Sequence, residues 1–160
     1  RRELMAREWG RQTVVRRGLA DPAFADVNGL TELILGAAID VHRALGQGLL
    51  ESTYQECLAA ELAEREVRAV RQVPIPLLYR GRRLDCVYRA DLLVDYRVVV
   101  EIKSVERLLP LHEAQLLTYL RLGGWRVGLL LNFNVPVLRE GIRRIIATAP
   151  PATVEAPPAR

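Results

Sequence analysis

The chain has 160 residues, half of them apolar, and a formal net charge of +4 at pH 7, which is enough apolar material for one domain with a real core and only a modestly basic surface. No apolar stretch reaches the length of a membrane span and no signal-peptide pattern opens the chain, so a cytoplasmic protein with no membrane partner is expected. Cys57 and Cys86 lie in apolar surroundings without CxxC spacing, the pattern of buried free thiols in a reducing compartment.

Residues 1–28 read as a basic N-terminal appendage, partly ordered at best. A short basic helix fits residues 3–18, and Asp21-Pro22 is expected to break any helix. The folded part is expected to start near Asn28 or Thr31. Leu33, Ile34, Ala37, Ala38, Val41 and Leu45 recur at helical spacing, with Thr31 placed to cap them. Gly46-Gln47-Gly48 ends that helix, and a second follows from about Leu50 to Glu66 with Tyr54, Cys57, Leu58 and Leu62 on one face.

Val73–Tyr79 reads as a strand, confined to a sheet edge by Pro74 and Pro76. Tyr79-Arg80-Gly81-Arg82 then turns into the strand that carries Asp91. Leu92–Val94 and Val98–Val100 are short, apolar and partly β-branched, which predicts two strands joined by a tight turn at Asp95-Tyr96-Arg97. Leu111–Leu122 is a helix closed by Gly123-Gly124, and Val127–Leu131 a buried strand. Val137–Ile146 is read as a last helix, with Leu138, Ile142 and Ile145 on one side and arginines on the other. Residues 149–160, rich in proline and alanine, are expected to be disordered. The order ααβββαβα gives a mixed four-stranded sheet flanked by helices, an α/β (α+β) domain over residues 29–148.

The stretch from Tyr88 to Lys103 carries the chemistry. Alternate side chains of a strand share a face, so Glu101 and Lys103 point one way while Ile102 enters the core. A hairpin brings Asp91 beside them. Two carboxylates suit a hard divalent cation such as Mg²⁺, and the ammonium could position or deprotonate a metal-bound water. The bland alternative is a strand pair with solvated or salt-bridged ends. Against it, Lys103 is the one lysine among 23 basic residues, and lysine has an adjustable pKa that arginine lacks.

Glu51, in Gly48-Leu-Leu-Glu51-Ser-Thr-Tyr54, is either a charge at a helix N-terminus or a third carboxylate aimed at the same cluster. His112, Gln115 and Tyr119 line one helical stripe, either as a partly buried hydrogen-bonded row or as groups that contact phosphate and orient the lysine. Arg80, Arg82, Arg83 and Arg89, and separately Arg139, Arg143 and Arg144, could contact phosphates without reading sequence or be a solvated face. His42 reads as a satisfied core or boundary residue. Two histidines and two separated cysteines make no zinc site. No P-loop, GxGxxG or GxSxG pattern occurs.

Taken together, GAAIDVHRALGQGLLESTYQECL, RQVPIPLLYRGRRLDCVYRADLLV, EIKSVERLLPLHEAQLLTYL and GLLLNFNVP resemble the GxxExxY family, a small bacterial group assigned to the PD-(D/E)XK nuclease superfamily. The resemblance spans Leu30 to Ile146. It implies a helix, three strands, helix, strand core with a metal-dependent phosphodiesterase site. Asp91 matches the motif aspartate, Glu101 and Lys103 match ExK, and Glu51 matches the glutamate that names the family. Gln115 and Tyr119 resemble the QxxxY motif of the RecB-like exonuclease branch. Ala90 stands where the pattern has proline.

The expected activity is therefore Mg²⁺- or Mn²⁺-dependent hydrolysis of phosphodiester bonds in DNA. Asp91 and Glu101 would hold the metal, with the Ile102 carbonyl and Glu51 completing the shell. Lys103 would act on the attacking water, and Gln115, Tyr119, His112 and Tyr54 would contact substrate. The alternatives are a catalytically silent nucleic-acid-binding or protein-interaction module on the same fold, and a hydrolase of another phosphoester. The partner would be nucleic acid, with a homo-oligomer or a partner protein allowed for, and a partner protein or residues 1–28 would supply substrate selection.

Overall fold

A computed structural model describes residues 22–75, 77–84 and 88–148, the side chains of 22–26 excepted. The expected N-terminal helix and the C-terminal tail therefore lie outside the described residues, as does Cys86. Two helices come first, α1 (Pro22–Leu45) and α2 (Glu51–Glu64). Strands β1 (Ala69–Pro74), β2 (Leu77–Tyr79), β3 (Arg82–Leu84), β4 (Arg89–Val94) and β5 (Val98–Lys103) follow. After them come α3 (Pro110–Gly123), β6 (Val127–Asn132), a 3₁₀ turn at Leu138–Gly141 and β7 (Ile142–Ile146).

The main sheet has five strands in the order β1-β4-β5-β6-β7, and β2 with β3 forms a separate two-stranded ribbon. Four strands were expected. The additional one is β7, which replaces the expected last helix and pairs antiparallel with β6 from Val127↔Ile146 to Leu131↔Ile142. Leu138, Ile142 and Ile145 do recur at helical spacing, but the open edge of β6 offers a full ladder to a β-branched segment, and pairing overrides the pattern. The expected Val73–Tyr79 strand is instead divided: Val73 and Pro74 end β1 at the sheet margin, and Leu77–Tyr79 form β2 of the separate ribbon.

The start of α1 also differs from expectation. Pro22 opens the helix rather than breaking it, which suits a residue whose missing N–H would be unpaired in the first turn. Thr31 sits inside the helix and donates to the Val27 carbonyl at 2.8 Å instead of capping.

β5 and β6 run parallel, joined by the α3 crossover, and every residue of β6 is buried. Two cores result. One lies under α1 and α2, with Ile34, Tyr54, Leu58 and Phe133 against Leu92, Val100 and Ile102. The other lies under α3, with Leu116 and Leu120 against Leu93, Val99 and Leu130. Each buried leucine contributes about 1.5–3 kcal/mol, so α3 is held firmly over the face that bears Glu101. Among the described residues no helix is long and apolar enough to cross a membrane.

Candidate active site

The site grows from a flaw in the sheet. β4 and β5 pair regularly from Val94↔Val98 to Leu92↔Val100, and there the ladder stops. On the other side of β4, β1 pairs at Arg71↔Leu92 and Val73↔Ala90, but Gln72, across from Asp91, has a φ of 53° and makes no rung. Side-chain alternation slips at this point. Leu92 and Val94 face α1 and α2, yet Ala90 joins Leu93 in the α3 core. Asp91 therefore sits where the strands part.

Backbone groups freed by that parting are taken up by carboxylates. The Ile102 N–H donates to Asp91 Oδ2 at 2.8 Å, and the Asp91 N–H donates to Glu101 Oε1 at 2.9 Å. This reciprocal pair replaces two missing rungs and fixes both side chains. In a strand the N–H and C=O of one residue point to the same side, so the Ile102 carbonyl faces the same gap.

Glu101 is 5% exposed. Burial, then the neighbouring Asp91 charge, push its carboxyl up to about 8. Burial also raises Asp91, and the Ile102 N–H and Lys103 partly offset the rise. Two close, poorly solvated carboxylates cannot both be ionised without a compensating charge. They call for a proton or a cation.

Lys103, half-buried on the same face as Glu101, acts electrostatically on both. Tyr119 reaches the pair from α3. Burial first, then the Glu101 charge, raise its hydroxyl, which accepts a 2.9 Å hydrogen bond from Gln115 Nε2. Tyr119, with Gln115 bonded to it, is thus near enough to both carboxylates to feel their charge.

Glu51 comes from the opposite layer. Its Oε1 accepts the Ser104 N–H at 3.2 Å, just past the end of β5, and its charge raises Asp91. Among the described residues no three His, Cys, Asp or Glu side chains converge closely enough to hold a metal ion. Glu51 stands at the rim rather than in one cluster with the pair.

Two residues expected to contact substrate make framework contacts. Tyr54 is fully buried, stacked on Phe133 at 4.4 Å between ring centroids. Its hydroxyl donates to the Gly46 carbonyl at 2.6 Å and accepts the Leu49 N–H at 3.2 Å. It therefore ties down the loop that presents Glu51, a loop in which Gly48 has a φ of 95° that an L side chain would resist. His112 caps α3, its Nδ1 accepting the Leu109 N–H at 3.0 Å. His42 is a satisfied core residue, buried with its Nε2 2.8 Å from the Val135 carbonyl.

One positioning residue went unread in the sequence. Asn132, 1% exposed and in register with Lys103, accepts the Val105 N–H at 3.1 Å and donates to the Val105 carbonyl at 2.9 Å. It clamps the chain that leaves Lys103. An asparagine ending an apolar strand is a visible signal, but its partner Val105 is 27 positions away.

With this geometry established, comparison with known proteins decides the family. A family model described as the PD-(D/E)XK nuclease superfamily matches residues 28–145. The chain belongs to that superfamily. No curated protein and no solved structure matches it. Membership in the PD-(D/E)XK nucleases agrees with the mixed sheet, the flanking helices and the carboxylate pair at the parting of β4 and β5.

Proposed function

We propose that this protein is a Mg²⁺- or Mn²⁺-dependent nuclease that hydrolyses phosphodiester bonds in DNA, and that it is a GxxExxY member of its superfamily. The observation that carries the reading is the interlocked Asp91–Glu101 pair with Lys103 beside it. The donor set fits a hard divalent cation. Two carboxylates lie together in a site that raises both of them, and the Ile102 carbonyl faces the same gap.

Asp91, Glu101 and the Ile102 carbonyl would hold the ion, and Glu51 at the rim would act through water, since Mg²⁺ usually keeps several. When bound, such an ion lowers the pKa of a coordinated water and offsets charge on a phosphoryl oxygen. Lys103 orients the attacking water and neutralises charge developing on phosphate. Tyr119, oriented by Gln115, closes the site from above and keeps bulk water from the buried carboxylates. One water is consumed and one P–O bond breaks, leaving a phosphate monoester on one fragment and a hydroxyl on the other. The motif glycine and tyrosine serve this arrangement by shaping the loop ahead of Glu51.

The test is cleavage of plasmid and linear DNA by Asp91→Ala and Glu101→Ala proteins whose circular dichroism matches wild type. Both are expected to lose activity by at least about 10³-fold, as for removal of groups that act as a unit. A wild-type rate in either would overturn the assignment.

A further inference from the structure

The β2–β3 ribbon serves neither core. It leaves the main sheet at its last rungs, where Pro74 pairs with Arg89 and the Ile75 N–H donates to the Tyr88 carbonyl at 2.8 Å. Two strands of three residues bury little by themselves, and such a ribbon is marginal without a partner.

Its register sorts its side chains. Leu77 pairs with Leu84 and Tyr79 with Arg82, so these four share one face, while Leu78 and Arg83 share the other. Tyr79 is 49% exposed, and the Arg80 guanidinium lies 5.4 Å from its ring centroid. Arg80, Arg82, Arg83 and Arg89 are all exposed, and between Leu77 and Arg89 the sequence sets only Asp85 against them. Tyr88, also about half exposed, lies at the base of the ribbon. Its ring is 6.0 Å from that of Tyr119, which in turn reaches the carboxylate pair.

We propose that this ribbon is a guide arm for a single strand of nucleic acid entering the site, with Tyr79 and Tyr88 stacking on bases and the four arginines bonding phosphates. The charge selects a polyanion, and exposed rings beside guanidinium groups form a sequence-tolerant stacking platform. Base faces are accessible in a single strand and hidden in a duplex, so the aromatic half of the surface selects unpaired substrate. The arm rests on the nuclease reading for its substrate but is separable from it, because binding can be measured without turnover.

The experiment measures fluorescence anisotropy of labelled single-stranded and blunt duplex DNA with full-length Lys103→Ala protein, which keeps the substrate intact. Three versions are compared in that background: unaltered, Tyr79→Ala, and Arg82→Ala with Arg83→Ala. Single strands are expected to bind tighter than duplex. Tyr79→Ala should weaken single-strand binding about tenfold and leave duplex binding within about twofold. The double arginine variant should reduce the slope of log K against log salt by about 1.4, two contacts at 0.7 each. A comparison variant on the opposite sheet edge, Arg143→Ala, should leave affinity and slope unchanged; that side chain already bonds the Ile142 carbonyl at 2.8 Å.

Unchanged single-strand affinity in both arm variants, with wild-type protein still cutting DNA, would overturn the arm and spare the nuclease. Loss of a dimer on size exclusion in place of loss of DNA affinity would reassign the ribbon to self-association and overturn the proposal. Failure of wild type to bind or cut any DNA would overturn both readings.

Discussion

Glutamine in place of Glu101 keeps the shape of the carboxylate pair and removes one of its charges. In the folded protein the Glu101 carboxyl is raised from 4.5 to about 8. Between those values the folded state holds a proton that the unfolded chain has released, so stability falls as pH rises. The favourable contribution is complete below about pH 4.5 and is lost as pH passes about 8. At about 1.4 kcal/mol per pH unit, the span is on the order of 5 kcal/mol as an upper bound. The Asp91 carboxylate beside it is raised as well, so the measured difference is expected to be smaller, about 2–4 kcal/mol. Urea unfolding of both proteins at pH 5, 7 and 9 in EDTA reads this directly. The stability of Glu101→Gln relative to wild type should grow steadily across that range, and saturating Mg²⁺ should restore wild type but not the variant at pH 9. Parallel stability curves, with a gap constant to about 0.5 kcal/mol, would refute the reasoning.

Three further outcomes are expected of the framework around the site. Tyr54→Phe should lose about 1 kcal/mol in urea, because it removes the hydrogen-bond partner of the partly exposed Leu49 N–H and Gly46 carbonyl, while leaving KM for DNA unchanged. Asn132→Ala should speed amide hydrogen exchange at Val105 and lower kcat without changing KM, since the clamp acts on the chain that leaves Lys103. Gly141→Ala should destabilise by at least about 2 kcal/mol in thermal unfolding, because a Cβ there would stand 2.2 Å from the Asn132 carbonyl oxygen, a backbone atom that cannot rotate away.

Much of the interior was legible because local pattern and tertiary environment agree there. The Val94–Val98 hairpin, α3 with Gly124 in the left-handed conformation at its end, and the wholly buried β6 all follow from short apolar runs punctuated by turn residues. The convergence of Asp91 with Glu101 was legible from the hairpin, but its cause was not. A parted ladder and a distorted Gln72 depend on three strands at once. β7 was misread because helical spacing of three apolar residues says nothing of an open strand edge nearby. Gly141, inside that stretch, was the available warning: it packs against the Asn132 backbone where a helix would have preferred a side chain. Pro22 was misread for the opposite reason, since the same residue that breaks a helix interior is favoured at its first turn. Tyr54 was assigned to substrate because its motif position was visible while Phe133, its stacking partner, lies 79 residues further on.

The central claim is that Asp91, Glu101 and Lys103 form a working phosphodiesterase site. Its most direct test is cleavage of end-labelled DNA by purified wild type and Lys103→Ala, each with Mg²⁺, Mn²⁺ or EDTA. Cutting by wild type in either metal, absent in EDTA and lost in Lys103→Ala despite a native circular dichroism spectrum, is the expected result. Equal cutting by both proteins, or cutting undiminished by EDTA, would contradict it.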